Sequence, residues 1–451
     1  MNLKYFITLY LCLGLNLYCK ALSDNKESIV TWSLQDLLRF AIENSPVITK
    51  AKQEKQQANL SEDKARSFFW PRLKLQTIHG LRDQDPLPYN PLQTSTTTLN
   101  FSENLWNNTI DWKKLALAKV LKQKAELQYF QKRDQTCLNV SQEYYRYSLL
   151  VKSLEIQKNQ QKLLRKQFEL VSDEYLHGER SRRDFLRFKS QAQRADLDLQ
   201  NQFTQVEQSR ITLMALAGFT DFSEKQQFSP ENSPPPLLDL FKKPAELNNT
   251  YEDQLLNLTS QSLDLTKEVS LKQLGPEFTV DFKASLGSGN YWNTGKSFAS
   301  QETQTWGAFL TFNWVLWDGG EIKSNKAIAI IQAESQKTDL HQSKIQLQSE
   351  IQKLQKQFLQ LKENFKTSEE LLILEQNNFL FLEGEYRQSK TTYLDFINGI
   401  NNLGDAQNRH WRNLFELKQG IILYHYYKGS LFRFLLNDYN QDDEAPEDPI
   451  Q

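Results

Sequence analysis

Apolar and polar residues alternate along four short stretches of the chain. In 305–317, Trp306, Leu310 and Phe312 occupy even positions, and most odd positions are polar or small. Alternation with a period of two predicts a strand with one apolar face. Similar alternation predicts strands at about 68–79, 94–106 and 277–287, with Glu103 as a charged exception on an apolar side. Each strand has about 10 to 12 residues, enough to cross a bilayer when tilted.

The remaining pattern is helical and very long. No proline occurs between Leu92 and Ser229, and the chain has 16 glycines and 13 prolines in all. A helix is predicted from near Asp111 to Tyr175, roughly 100 Å long. Apolar residues that step by three and four predict a heptad seam in each half of the chain. They are Val140, Tyr144, Tyr147, Val151 and Leu154, then Leu347, Ile351, Leu354, Phe358, Leu361 and Phe365.

An offset of 211 residues relates the two halves. Subtracting 211 from Leu310, Phe312, Leu316, Trp317, Glu385, Tyr386, Asp395 and Phe396 gives Leu99, Phe101, Leu105, Trp106, Glu174, Tyr175, Asp184 and Phe185. One offset maps both a strand and a distant helical turn, so the sequence predicts two structural repeats. Each repeat consists of helix, strand, loop, strand, long helix, turn and helix.

Composition shifts mark the segments outside the repeats. Residues 1–23 resemble a signal peptide, with Lys4 before an apolar run and Ala21-Leu22-Ser23 at the cleavage site. Acylation at Cys19 is an alternative in a poor sequence context. The predicted order continues with a first repeat at 24–218, a proline-containing linker at 219–250, a second repeat at 251–436 and an acidic tail at 437–451.

Charge and composition exclude several kinds of function. The net charge is −1, which gives no electrostatic case for nucleic acid. The mean hydropathy of −0.62 excludes a bundle of transmembrane helices. The five histidines are scattered without the spacing of metal ligands, and no phosphate-binding or dinucleotide-binding motif occurs. We therefore expect no enzyme, no cofactor, and neither a catalytic nor a metal site.

Four strands cannot close a barrel, because about eight strands are the practical minimum. Two interpretations remain open: a small sheet packed against the helices, or a barrel that several subunits share. Trp106, Trp306 and Trp317 lie in or at the ends of the predicted strands. Tryptophan at such positions is expected at the membrane interfaces of outer-membrane barrels.

Several short motifs occur along the chain in the order found in the outer-membrane efflux protein family typified by TolC, which the chain therefore resembles. The resemblance covers about residues 33–436 and rests on AIENSPVI (41–48), LWDGG (316–320) and the paired turns EYLHGERSRRDF (174–185) and EYRQSKTTYLDF (385–396). It implies a mainly α protein that forms a homotrimer. A 12-stranded outer-membrane β-barrel, with four strands from each chain, would continue as an α-helical coiled-coil barrel in the periplasm.

The resemblance also implies a passive export duct of a tripartite efflux or type I secretion system. Its partners would be outer-membrane lipid, a periplasmic adaptor and an inner-membrane transporter. The family's periplasmic entrance and gate map onto Asp184, Asp395, Tyr386 and Asn398. Its adaptor-docking hairpin tips map onto Gly178, Arg180, Ser181, Ser389 and Thr391.

This sequence departs from the family pattern at the second tip. Asn398 replaces a constriction aspartate, Thr391 replaces a gate arginine, and Ser389 replaces a tip glycine. The charge ring at the entrance is therefore halved, and a salt-bridge lock is in doubt. The first tip is unusually basic, with Arg180, Arg182 and Arg183.

Each of these residues also has a purely structural interpretation. Asp184 and Asp395 could be solvated charges on long helices, and Tyr386 lies at a heptad position where packing would explain it. For the whole chain, the alternative function is an exported coiled-coil scaffold or adaptor that forms no channel.

Overall fold

A computed structural model describes residues 30–82, 92–223, 226–230, 250–272, 275–289, 302–388 and 390–436. The predicted signal peptide, most of the predicted linker and the predicted acidic tail lie outside the described residues. Ser389, one of the predicted docking residues, also lies outside them.

Helices dominate the described part of the chain, as the sequence predicts. Two of them have 67 residues each. The helices are α1 (Leu34–Asn44), α2 (Pro46–Arg66), α3 (Ile110–Leu176), α4 (Arg182–Ala217), α5 (Tyr251–Lys272), α6 (Glu321–Arg387), α7 (Tyr393–Tyr427) and α8 (Leu431–Leu435). None of these described helices has an apolar stretch long enough for a membrane span.

The helix ends follow from local sequence. Ser33 caps α1, since its hydroxyl oxygen accepts a hydrogen bond from the backbone N–H of Asp36 at 3.2 Å. Pro46 occupies the first position of α2, where a missing N–H costs nothing. Gly218 ends α4 with a φ of +89°, and a Cβ there would lie 2.9 Å from the carbonyl oxygen of Asn44. Glycine is therefore required at 218 for both conformation and space.

The strands form two separate sheets. β1 (Val30–Trp32) pairs in parallel with β4 (Gln226–Phe228). The larger sheet is antiparallel, with the order β2-β3-β5-β6. Its strands are β2 (Arg72–Arg82), β3 (Leu92–Trp106), β5 (Glu277–Gly289) and β6 (Glu302–Asn313).

The register of the larger sheet separates apolar from polar side chains. One row across the sheet is Leu73, Phe101, Phe282 and Ala308, and the next row on that face is Leu75, Leu99, Ala284 and Trp306. The opposite face carries rows such as Arg72, Ser102, Asp281 and Phe309. Glu103 pairs with Val280 on the apolar face, as the alternation predicts. Leu73, Leu75 and Leu310 are all exposed, so the chain leaves much of this apolar face uncovered.

Two predicted strand boundaries are wrong. The first strand begins at Arg72 and not at residue 68, because Ser67–Phe69 form a 3₁₀ turn and Pro71 has no N–H for a ladder. The last strand ends at Asn313, which pairs with Glu277, the residue after Pro276. Trp317 therefore lies beyond the sheet in irregular structure and is 87% exposed.

The described residues fall into two compact units. The first unit contains residues up to Ile48, Arg133–Pro244 and Lys353–Asp442, and the second contains Thr49–Lys132 and Ala245–Gln352. In the first unit, Leu37, Leu213, Met214 and Phe415 belong to one buried cluster. Its heptad positions Val140, Tyr144 and Tyr147 are also buried in that cluster. In the second unit, Leu127 and Phe130 pack with Tyr251.

Both strand-to-helix junctions of the second unit have two consecutive residues with positive φ. They are Asn108 (56°) and Thr109 (67°) before α3, and Gly319 (70°) and Gly320 (100°) before α6. The matching geometry occurs although the first junction has no glycine. Lys272 compensates locally, because its Nζ donates to Thr109 Oγ1 at 2.8 Å and its carbonyl accepts from Asn108 Nδ2 at 3.4 Å. A β-branched residue at positive φ is normally unfavourable, so these contacts hold strained backbone.

Candidate functional site

The first helical tip, between α3 and α4, is closed by backbone hydrogen bonds. The N–H of Glu179 donates to the carbonyl of Glu174 at 2.8 Å, and Gly178 adopts a φ of +79°. This is the usual way to end a helix with a left-handed residue. Arg180 then donates from Nε to Glu174 Oε2 at 2.6 Å, both side chains being partly exposed. The pair fixes the loop against the last turn of α3.

The second tip, between α6 and α7, repeats this geometry at the described positions. The N–H of Lys390 donates to the carbonyl of Glu385 at 2.9 Å, which is the Glu179–Glu174 contact displaced by 211 residues. Thr391 is half-buried and forms no ion pair, so the second tip has no counterpart of the Arg180–Glu174 pair at that position.

Asp184 and Asp395 occupy equivalent capping positions. The hydroxyl of Ser181 donates to Asp184 Oδ2 at 2.8 Å and accepts from the Asp184 N–H at 3.1 Å. Thr392 and Asp395 make the same two contacts at 2.5 and 3.2 Å. Each aspartate therefore stabilises the N-terminus of its helix, where a negative charge is favourable. Asp395 is exposed and Asp184 half-exposed, so both carboxylates also remain accessible.

Aromatic pairs sit directly behind the two tips. Tyr175 stacks on Phe185 with ring centroids 4.8 Å apart, and Tyr386 stacks on Phe396 at 4.4 Å. These pairs are equivalent under the 211-residue offset. Phe396 is almost fully buried, whereas Tyr386 lies at the edge of its cluster. The ring of Tyr386 thus has a packing role that does not depend on its hydroxyl group.

The two hairpins contact each other through a small apolar core. Phe188 of α4 and Tyr393 of α7 have ring centroids 4.0 Å apart. Phe188 belongs to a buried cluster with Leu164, Val171, Phe396, Ile397 and Ile400, against which Tyr386 and Tyr393 pack. No sequence motif marks Phe188 or Tyr393 as functional residues. In the sequence, these two residues are marked only by their apolar spacing along a predicted helix. The same spacing occurs in any buried helix, so it does not identify a contact between two hairpins.

Electrostatics link Tyr386 to the first tip. Partial burial raises the pKa of Tyr386, and Arg180 opposes that rise. The hydrogen bond from Arg180 to Glu174 raises the pKa of the guanidinium. Arg180 therefore supplies a positive charge near Tyr386 from the first hairpin, whereas the family pattern places its arginine on the second, at Thr391. Asn398 is exposed and neutral, so it adds no charge to this site.

The predicted interface aromatics lie in or beside the larger sheet. Trp106 packs near Phe278 with centroids 5.9 Å apart, and Trp306 lies 6.4 Å from Phe282. Trp306 is 78% exposed on the apolar face. Trp317 lies beyond the end of β6 at Asn313. Its side chain is exposed in the connecting segment before α6 and does not belong to a face of the sheet.

An open cavity of about 560 Å³ lies on the polar face of the sheet, where the strands approach α3. Arg72, Asp281, Asn104 and Lys114 contribute to its lining. No sequence pattern indicates this cavity, because its lining depends on the register of three strands. Its charged lining is suited to water and ions. In the described part of the chain, no group of three or more His, Cys, Asp or Glu side chains could hold a metal ion.

One family model matches part of the chain. Residues 37–219 match the family model described as "Outer membrane efflux protein". No curated relative matches the chain.

Solved structures match along most of the chain. The CmeC outer membrane channel of Campylobacter jejuni is 14% identical, with a TM-score of 0.78 over 88% of this chain and 86% of that one. The outer membrane protein VceC of Vibrio cholerae is 16% identical, with a TM-score of 0.70 over 88% and 96%. CusC is 14% identical, with a TM-score of 0.73 over 90% and 93%. At these identities the likeness establishes a shared fold.

Proposed function

We propose that this chain is one subunit of a passive export duct, because residues 37–219 match the outer membrane efflux protein family model. The duct would lie in the outer membrane and extend into the periplasm. It would be the outer component of a tripartite efflux or type I secretion system. Its partners would be a periplasmic adaptor and an inner-membrane transporter.

The observation that carries this proposal is the single apolar face of the four-stranded sheet. Leu73, Leu75, Trp306 and Leu310 are between 67% and 78% exposed on that face. A soluble domain would bury such a surface, because each fully buried large apolar side chain contributes about 1.5 to 3 kcal/mol. Outer-membrane lipid is the environment in which this face is stable without a protein partner.

The edges of the sheet support a shared barrel. β2 and β6 are the outer strands of the described sheet, and each has only one neighbour in the chain. Unpaired backbone groups are costly in lipid, so the edges must pair with other chains. Three copies with four strands each would close a 12-stranded barrel, within the range that bacterial barrels adopt. We therefore propose a homotrimer.

The helix bounds support an internal duplication. α3 and α6 have 67 residues each, and both ends are related by 211 residues (110 to 321, and 176 to 387). The positive-φ pairs at 108–109 and 319–320 have the same spacing. These matches support repeats at 24–218 and 251–436, joined by the linker at 219–250.

The tips are the proposed periplasmic entrance. Asp184 and Asp395 would supply rings of carboxylates that favour cations. Asn398 would add a neutral position where the family pattern has a second constriction aspartate. Packing of Tyr386 on Phe396 and of Phe188 on Tyr393 would hold the hairpins in a closed arrangement. Gly178, Arg180, Ser181, Ser389 and Thr391 would form the surface that meets the adaptor.

Membrane fractionation with gel electrophoresis tests the trimer and its location. The proposal expects an outer-membrane protein that migrates as a trimer in detergent without heating and as a monomer after boiling. A detergent-independent monomer in the periplasmic fraction would instead support the non-channel scaffold.

A further inference from the structure

The polar face of the larger sheet carries a row of positive charge. The strand register places Lys74, Asn100, Lys283 and Gly307 side by side across β2, β3, β5 and β6. Both lysine side chains are exposed, and these four positions contain no carboxylate. We name these four residues the lysine row.

Neither ammonium group of the lysine row is neutralised by a side chain that the structure describes. Among the described residues, Lys74 and Lys283 form no ion pair and donate no side-chain hydrogen bond. Neither donates to Asn100 on the strand between them, although Asn100 Oδ1 has no hydrogen-bond partner in the described structure. Lys283 Nζ lies 5.9 Å from the ring centroid of Phe309, and such a contact leaves the charge in place. Both charges are therefore available to a ligand.

Two carboxylates lie on the same face, toward the end of the sheet that connects to the helices. Asp281 is one row from Lys283 and shares its row with Arg72, so these two rows together carry three cations and one carboxylate. Glu277 is three rows away, and its Oε1 accepts a hydrogen bond from Asn313 Nδ2 at 3.2 Å. Three rows of strand span about 20 Å, more than twice the Debye length of about 8 Å at physiological salt. Glu277 is therefore largely screened from the lysine row, and only Asp281 opposes it at close range.

The cavity at the helix end of this face has the opposite charge balance. Its charged lining residues are Arg72 and Lys114, with Glu103, Asp111, Glu277 and Asp281. Arg72 Cζ and Lys114 Nζ lie 5.7 and 5.4 Å from the ring centroid of Phe68. Charge is thus segregated along the sheet, with carboxylates in excess beside α3 and lysines further along the strands.

A closed barrel would bring the lysine rows of three chains around one pore. Because the apolar face meets lipid in the proposed duct, the polar face lines the lumen. Twelve tilted strands about 4.8 Å apart enclose a backbone radius of about 12 Å, and a lysine side chain reaches roughly 6 Å inward from that wall. The pore axis then lies within one Debye length, about 8 Å, of the ammonium groups. Since the strands are tilted, the six lysines form a band and not a flat ring.

Neutral hydrogen-bond donors flank the lysine row. Thr98 Oγ1 and Ser285 Oγ lie 3.2 Å apart in the next row on one side, and Ser102 lies in the next row on the other. Oxygen atoms of an anion accept hydrogen bonds from ammonium, hydroxyl and amide groups. Rings of lysine or arginine are the arrangement that selects anions and phosphates in pores. The row therefore has the chemistry to hold a carboxylate or a phosphate group.

From this arrangement we infer that the lysine rows of three chains form a binding site for anionic solutes, carboxylates and phosphates, in the lumen of the barrel. The inference rests on the proposed function, because only a closed trimeric barrel surrounds one pore with six lysines. It gives the barrel a charge preference opposite to that of Asp184 and Asp395 at the proposed entrance. Anionic solutes are then the class of substrate that the barrel concentrates.

The test compares the purified wild-type trimer with charge variants in planar lipid bilayers. Lys74→Gln with Lys283→Gln removes both charges and keeps long polar side chains. Lys74→Arg with Lys283→Arg is the matched control, since it changes the same two positions and keeps both charges. Both positions are exposed, so every variant should form the heat-sensitive trimer. Reversal potentials in a tenfold gradient of potassium chloride give the permeability ratio of chloride to potassium, and block of the current by inorganic pyrophosphate measures anion binding.

We expect the glutamine variant to lower the permeability ratio of chloride to potassium at least twofold. Its half-blocking concentration of pyrophosphate should rise at least fivefold, while the arginine variant matches the wild type in both measurements. Asp281→Asn should raise the permeability ratio, because it removes the nearest carboxylate. Added salt should weaken the block of the wild type, since it screens the lysines.

An unchanged permeability ratio and an unchanged block in the glutamine variant would overturn the inference. Equal changes in the arginine variant would also overturn it, because side-chain shape and not charge would then control the response. The conductance of the wild type separates this result from the proposed function. A wild type that conducts without responding to these substitutions contradicts the anion site alone, whereas a wild type that passes no current contradicts the duct and the anion site with it.

Discussion

Phe188 and Tyr393 lie with ring centroids 4.0 Å apart, one at the start of α4 and the other at the start of α7. Phe188 is 1% exposed, so this contact is a buried junction between the two hairpins of one chain. Opening of the proposed entrance requires the hairpins to separate at this end. The contact between these two residues is therefore where the closed arrangement should be most sensitive to mutation.

Phe188→Ala should loosen the junction. Replacing a buried phenylalanine by alanine typically lowers the free energy of unfolding by about 3 to 5 kcal/mol. At position 188 this loss weakens the contact between the two hairpins. We expect a lower thermal unfolding midpoint by circular dichroism and a larger single-channel conductance. Leu186→Ala is the control, because Leu186 is adjacent but half exposed. Similar effects of both substitutions would show that the junction is not special.

Two substitutions at Tyr386 distinguish the packing of its aromatic ring from the role of its hydroxyl group. Its ring stacks on Phe396 at 4.4 Å, and Tyr386→Phe keeps that ring. We expect Tyr386→Phe to conduct like the wild type and Tyr386→Ala to conduct more, since only the second loses the stack. Single-channel recordings of the two variants decide the matter. A phenylalanine variant as open as the alanine variant would assign the closed state to the hydroxyl group.

Asp395 should contribute to ion selectivity. It is exposed at the second tip, and its charge would be repeated three times in a trimer. Asp395→Asn should reduce the preference for cations, and Asn398→Asp should increase it by restoring a carboxylate. Reversal potentials in a potassium chloride gradient measure both shifts. If neither variant moves the reversal potential, Asp395 has only its capping role.

His425 should make stability depend on pH. Its ring stacks on Phe434 at 3.9 Å, and burial together with Lys428 lowers its pKa to about 4. The folded state therefore disfavours the proton, while the unfolded chain binds it near pH 6.5. It follows that stability should fall as the pH drops from about 6.5 to 4.

His425→Phe keeps an aromatic ring and removes the titration. Its unfolding midpoint should be less sensitive to pH over this range than that of the wild type. His341→Phe is a control, because His341 is exposed on α6. An unchanged pH profile in the His425 variant would show that other groups control acid stability.

The sequence predicted the elements that have strong periodicity. The long helices, the four strands and the apolar face were all recoverable, because amphipathic patterns persist over many residues there. The β1–β4 pair was not, since Val30–Trp32 and Gln226–Phe228 are three residues each and show no period. The end of β6 at Asn313 depends on its partner strand, which no local pattern reveals.

The strand-to-helix junction before α3 and the first helical tip contain features that the sequence alone does not predict. Asn108 and Thr109 adopt positive φ without glycine, and Lys272, which is distant in sequence, contacts both side chains. Arg180 could be named from the tip motif, but its pairing with Glu174 depends on the folded loop. Such features arise from three-dimensional contacts between residues that are ordinary in sequence.

The most direct test of the central claim is conductance of the purified wild-type protein in a planar lipid bilayer. The account predicts discrete, uniform current steps from the heat-sensitive trimer, and none after the trimer has been dissociated by boiling. A correctly folded, helical preparation that inserts into lipid yet passes no current would contradict it.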